Sequence, residues 1–323
     1  MMDVILTASS VQAFMECQYK YFCEYERRLS PLEEPIYFFW GTLVHKMFEY
    51  RRMGFQPKDV IQKMKEDYQS EYTDEMLLKE VYRKKAEQHY SWLEYTLPSV
   101  LLTHTMKWSV DDSVWETIQG EQEFELELWR GTDVRYDNME YRILLRGRSD
   151  ELRINKHTHN LIIWERKTAA QTGPSYYWAL QWDPQPKTYL LAQKLAYAHK
   201  VNTVMYDVIK KPQIQRWDRE SLDDYSKRIG SYYMSRPESY LERRPIQFSD
   251  KDIDEHRNWL VQVGQKLFEC RMEGLWTKWH QGVRYPCGFE GICLRGEEDM
   301  NLHKYFQVRL PGEINPELSD RNK

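Results

Sequence analysis

From Gln119 the hydrophobic pattern changes from helical spacing to an alternation of two, and this change constrains the fold more than any other feature. Glu121, Glu123, Glu125 and Glu127 alternate with Gln122, Phe124, Leu126 and Leu128, which predicts a half-buried strand with its glutamates on the solvated face. Residues 141–145, 148–154 and 160–167 continue the sheet. The segment 155–160 is a hairpin turn, with His157 and His159 facing water. Residues 176–199 read as helical with a break near Pro184 and Pro186, and residues 203–209 return to a strand.

Either side of this sheet the period is helical. Val11, Phe14, Met15 and Phe22 predict an amphipathic helix over 9–29, with Ser9 and Gln12 resembling a capping box. Pro31 and Pro35 interrupt it. A second helix, over 41–52, carries Leu43, Val44, Met47 and Phe48 on its apolar side and His45 and Glu49 together on one face. Residues 57–93 are helical and charge-rich, and 221–234 and 252–272 are the clearest later helices. The expected fold is α/β: a helical region over 1–115, a sheet core over 116–215 and a helical region over 216–323, joined in one compact unit.

Composition narrows the class only slightly. A net charge of −4 neither advertises nor excludes a nucleic-acid partner, because a local basic groove suffices. The 23 Tyr and 12 Trp supply core, stacking surface or both. The opening residues MMDVILTASS lack a basic segment followed by a long apolar run, and no stretch is apolar enough to span a bilayer. A cytoplasmic protein with no membrane partner is expected. Five cysteines, an odd number, argue against a disulfide framework and leave metal binding or burial.

The chemistry concentrates in Gly147-Arg-Ser-Asp150, fourteen intervening residues, then Glu165-Arg-Lys167. Residues two apart on a strand share a face, so Glu165 and Lys167 project together, and a hairpin partner brings Asp150 beside them. Two hard carboxylates suit Mg²⁺ or Mn²⁺. An ammonium beside them can position a water or offset charge building on a phosphate.

Strand, hairpin, strand, helix, strand with these residues resembles the PD-(D/E)XK nuclease superfamily, with its restriction-endonuclease-like mixed sheet flanked by helices. Gly41-Thr-Leu-Val-His45 and Gln185-Pro-Lys-Thr-Tyr189 are similar to two motifs of its RecB-type branch, which includes CRISPR-associated exonucleases. Thr168 and the run from Tyr206 to Pro212 resemble phage and prophage members. The resemblance implies that Asp150 and Glu165 hold the catalytic metal and that Lys167 acts on the water or phosphate. His45 would add a ligand or aid proton transfer. Gln185 and Tyr189 would orient DNA or the lysine, although the pair also reads as a structural one at one-turn spacing.

The implied activity is a Mg²⁺- or Mn²⁺-dependent DNA exonuclease in phage or bacterial DNA processing, recombination or repair. Its partners would be single- or double-stranded DNA and a helicase, recombinase or single-strand-binding protein. The alternatives are a noncatalytic module for DNA ends or single strands, and a spacer-processing nuclease of the CRISPR-associated kind. The branch also ties its termini together with a 4Fe-4S cluster. Here Cys17, Cys287 and Cys293 match, while the remaining ligand is His280 or Cys270 unless the cluster has been lost. Zinc on the same groups is a further alternative, and Cys23 reads as a buried helix thiol.

Overall fold

The computed structural model describes residues 1–32, 36–71, 80–120, 122–149, 151–278, 287–296 and 302–310. Its strands are β1 (Met2–Leu6), β2 (Leu29–Pro31), β3 (Trp115–Gln119), β4 (Gln122–Asp133), β5 (Met139–Ser149), β6 (Glu151–Asn155), β7 (Leu161–Ala169), β8 (Thr203–Lys210), β9 (Leu241–Gln247) and β10 (Phe306–Val308). They form a mixed five-stranded sheet, β3-β6-β7-β8-β9, a three-stranded sheet, β1-β5-β4, and the small pair β10-β2.

The alternation along β4 is as expected, with Phe124 and Leu128 buried and Glu123, Glu125 and Glu127 exposed. β6 and β7 form the expected antiparallel hairpin. Its turn is shaped by Asn155, whose side-chain oxygen accepts from the N–H groups of His157 and Thr158, both at 3.0 Å. The strands of residues 139–155 do not share one sheet. Ser149 ends β5 in the three-stranded sheet, and Glu151 opens β6 in the five-stranded one.

β7 and β8 pair in parallel, and such a pair requires a crossover. The crossover consists of two helices, Pro174–Leu180 and Pro184–Ala196, the division that the prolines foretold. Asp183 caps the second, its carboxylate accepting from the Gln185 N–H at 2.9 Å. One hydrophobic core joins this helix and the Asp250–Glu273 helix to the three-stranded sheet through Phe124, Ile143, Leu190, Leu260 and Leu267. A second core, including Leu43, Met47, Leu93, Leu101 and Ile229, packs the helices Ile36–Arg52, Pro57–Glu71, Leu97–Ser113 and Leu222–Ser235 and reaches Ile209 of β8 and Leu241 of β9.

Several local expectations are corrected. The outer regions are not purely helical: β1 pairs in parallel with β5, and β9 extends the five-stranded sheet. The first helix spans only Ala8–Glu16, because Cys17 is extended (φ −166°, ψ 120°) before the short helix Gln18–Tyr21. The break is held from outside, where the Thr277 carbonyl accepts from the Tyr19 N–H at 3.1 Å. Its capping box is Thr7 with Ser10 rather than Ser9 with Gln12, since β1 ends at Leu6 and Thr7 is the first extended residue before the helix. Among the described residues no helix is long and apolar enough to cross a membrane.

Candidate active site

Successive side chains of β7 point to opposite faces of the sheet, and here both faces carry charge. Glu165 and Lys167 face the crossover helices. Glu165 is buried at 1% exposure, with the Lys167 ammonium 3.2 Å from its Oε1. The lysine is held from two further sides: Nζ donates to Gln185 Oε1, and Asp183 Oδ2 lies 3.5 Å away. Gln185 Nε2 in turn donates to the Tyr189 hydroxyl at 2.7 Å. The one-turn pair Gln185–Tyr189 is thus joined to Lys167 through a single hydrogen-bonded chain.

Two tyrosines that the sequence reading left unassigned complete this face. Tyr206 is the β8 partner of Glu165 in the parallel ladder and is fully buried. Burial, reinforced by the negative Glu165 and Asp183, pushes its phenol well above the ordinary range. Burial likewise pushes the Tyr176 phenol up to about 12, with Asp183 and Glu165 adding to it and Lys167 opposing. Asp183 was also missed, although an aspartate directly before a proline that opens a helix is a readable cap signal.

Arg166 projects to the other face, into a buried ionic network. Its Nη1 donates to Glu151 Oε1 at 2.6 Å, and its Nε is 3.8 Å from Asp207 Oδ2. Asp207 also accepts from His104 Nε2 at 2.9 Å, Trp164 Nε1 at 3.3 Å and Arg243 Nη2 at 3.3 Å. Burial works to raise the Asp207 carboxyl, but His104, Arg243 and Arg166 outweigh it and hold the group far below the usual carboxylate range. Glu151 behaves alike: burial opposes ionisation, yet Arg166 and Arg153 hold its carboxyl at about 2.

His45 stands exposed on the Ile36–Arg52 helix. One turn earlier, Gly41 lets that helix approach β7 closely, since a Cβ there would stand 3.1 Å from Thr168 Oγ1. Phe48, further along, packs its ring 4.5 Å from the Arg166 guanidinium. The histidine helix and the Glu165–Lys167 pair therefore approach β7 from opposite faces. Asp150 and His280 lie outside the described residues, as does Glu121. Gly147 sits under the Phe124 ring with no room for a side chain, and it lines a cavity of ≈ 120 Å³ together with Ala8, Ser9, Gln12, Gln185, Thr188 and Tyr189.

A divalent cation suits this face on charge grounds. Glu165 and Asp183 bring two hard carboxylates against one ammonium, leaving an excess of negative charge at the end of β7. Three of the expected cluster thiols are neighbours, with Cys17 close enough to act electrostatically on Cys287 and both acting on Cys293. Cys17 donates to the Thr277 carbonyl at 3.8 Å and Cys270 to Gln18 Oε1 at 3.7 Å, while burial pushes the Cys270, Cys287 and Cys293 thiols up. The other candidate for the remaining ligand, His280, lies outside the described residues. Cys23 is buried beside Leu29, Phe289, Ile292 and Phe306, as a core thiol should be. Among the described residues no three His, Cys, Asp or Glu side chains converge as a metal-binding group.

Residues 5–294 match the sequence model of the PD-(D/E)XK nuclease superfamily. No curated protein sequence matches the chain.

Proposed function

The chain belongs to the PD-(D/E)XK nuclease superfamily, and from that premise we propose that it is a metal-dependent DNA exonuclease of the RecB type. The observation that carries the reading is the buried Glu165 carboxylate with Lys167 held 3.2 Å away by Gln185 and Asp183. Asp150 and Glu165 are the residues proposed to hold Mg²⁺ or Mn²⁺, while the helix of His45 packs on the other face of β7 and its expected part as a ligand is not carried into the proposal. Such an ion supplies an acidified water and neutralises charge on a phosphate oxygen.

The protein's own groups do the rest. Lys167, fixed by Gln185, presents its ammonium where charge grows on the phosphate, and pre-orientation avoids the cost of rearranging a flexible lysine during the reaction. Tyr189 keeps the Gln185 amide turned so that its oxygen faces the lysine. The proposed setting is DNA processing, recombination or repair in a phage or bacterium.

The test is cleavage of end-labelled linear DNA beside closed circles, with Mg²⁺ or Mn²⁺, comparing the wild type with Lys167→Ala. Loss of linear substrate alone, abolished by the substitution while DNA binding persists, is the expected result. Cutting of circles would make the protein an endonuclease. Binding without any metal-dependent cleavage would sink the catalytic reading in favour of a noncatalytic DNA-binding module.

A further inference from the structure

The end of the first crossover helix and the turn after it carry two large aromatic rings that the fold does not use. Tyr177 and Leu180 anchor the Pro174–Leu180 helix in the main core. Trp178 and Trp182, four residues apart and so on one side of the turn, are 62% and 67% exposed. Their centroids are 5.9 Å apart with planes inclined at 57°, so neither ring covers the face of the other. Burying an indole is worth more than burying almost any other side chain, so leaving two adjacent ones in water favours a surface built for a ligand.

Position and charge say which ligand. Trp182 is bonded to Asp183, whose carboxylate is 3.5 Å from the Lys167 ammonium, so its ring lies within roughly 15 Å of the lysine by chain reach. Lys187, on the next helix, holds its ammonium 5.6 Å from the Trp182 centroid. Flat π-faces flanked by a cation, within chain reach of the lysine proposed to meet the phosphate, match a nucleic-acid strand: bases stack on rings while the ammonium meets the backbone. An interface with a second copy of this chain would be served better by aliphatic neighbours, yet the exposed or half-exposed residues next to the pair in sequence include Gln181, Asp183 and Lys187, with Ala179 the one aliphatic residue among them.

We propose that Trp178 and Trp182, with Lys187, form a stacking platform for unpaired bases beside the active site, giving the protein a preference for single-stranded DNA ends. The proposal rests on the nuclease reading above. Duplex bases are already stacked on one another and present no free faces, so the platform discriminates by strand state rather than by sequence.

The test uses the full chain carrying Lys167→Ala, to exclude cleavage, and measures binding of an oligothymidylate and of a blunt duplex by fluorescence anisotropy. Replacing both tryptophans by alanine should weaken oligothymidylate binding by roughly 10- to 100-fold and leave the duplex nearly unchanged. Replacement of both by tyrosine should restore most of the affinity, a rescue that loss of folding cannot imitate. Equal oligothymidylate affinity in the alanine and parent proteins would overturn the platform while leaving the nuclease reading intact. A change in sedimentation with no change in DNA binding would overturn it in favour of a self-association surface. Failure of the parent protein to bind either DNA would overturn both readings.

Discussion

Asp207→Asn tests the proposition that β7 is held from behind by charge. The wild-type carboxylate accepts from His104 at 2.9 Å, Trp164 at 3.3 Å and Arg243 at 3.3 Å, and it sits 3.8 Å from Arg166. An asparagine offers one acceptor oxygen where there were two and turns an amide NH₂ toward groups that are themselves donors. Removing one partner of a buried ion pair costs about 3–5 kcal/mol when the other charge is stranded. Here Arg243 keeps Asp111 at 2.6 Å and Asp112 at 2.7 Å, and Arg166 keeps Glu151 at 2.6 Å. The lower end, about 3 kcal/mol, is therefore expected, a substantial part of the roughly 5–15 kcal/mol of a typical domain. Urea unfolding followed by tryptophan fluorescence would show a lowered midpoint at unchanged slope. The pH dependence is a second check. The Asp207 carboxyl titrates far lower folded than unfolded, so its stabilisation is full above about pH 4 and is lost as pH falls toward the folded value. The gap between wild type and variant should narrow below about pH 4. A loss under about 1 kcal/mol at neutral pH would refute the network as a clamp on β7.

Other substitutions probe different links. Gly264→Ala would drive a methyl to within 2.7 Å of Ile143 Cγ2, where the Asp250–Glu273 helix crosses β5, and should cost about 1–3 kcal/mol in urea unfolding. Adding Ile143→Val should recover part of that loss. Tyr206→Phe deletes a buried hydroxyl that has no hydrogen-bond partner among the described residues, so it should be neutral or raise stability by up to about 1 kcal/mol in a thermal melt. A clear loss there would mean that the hydroxyl is satisfied in solution. Gln185→Ala frees Lys167 from its acceptor and should slow metal-dependent cleavage while leaving oligonucleotide binding within a few-fold, as read by anisotropy.

Glu165 and Lys167 could be paired from the sequence because a strand repeats every two residues, and Gln185 and Tyr189 because a helix brings residues four apart together. That logic is local, and it stops where partners are distant. The Arg243 side chain is only 4% exposed, in a strand whose sequence, Leu-Glu-Arg-Arg-Pro-Ile-Gln, shows no apolar alternation. Its burial makes sense only beside Asp207, Asp111 and Asp112, which come from other elements. Pro245 adds to the disguise, although proline is tolerated in β9 at the edge of the sheet. β1 escaped because five residues carry too short a pattern to separate a strand from a helix lead-in, and its partner β5 lies more than a hundred residues away. The division into two sheets was equally invisible, since residues 141–145 and 148–154 read as successive strands of one sheet and nothing local marks a change of sheet between them.

The two faces of β7 also explain each other. A strand that presents Glu165 and Lys167 on one side cannot bury that side as a plain hydrophobic surface, so the cost of keeping charge there has to be offset elsewhere. The crossover helices hold the front lysine through Gln185 and Asp183. Behind it, Arg166 is tied to Glu151 of β6 and lies near Asp207 of β8, the strands that flank β7 in the sheet. Because Arg166 is the residue between Glu165 and Lys167, any slippage of its ties shifts both front groups together. Weakening the rear network should therefore lower cleavage before it unfolds the protein, so Asp207→Asn assayed well below its denaturation midpoint should turn over DNA more slowly while still binding it. Unchanged turnover in a measurably destabilised variant would show that the β7 backbone is positioned by its ladder alone.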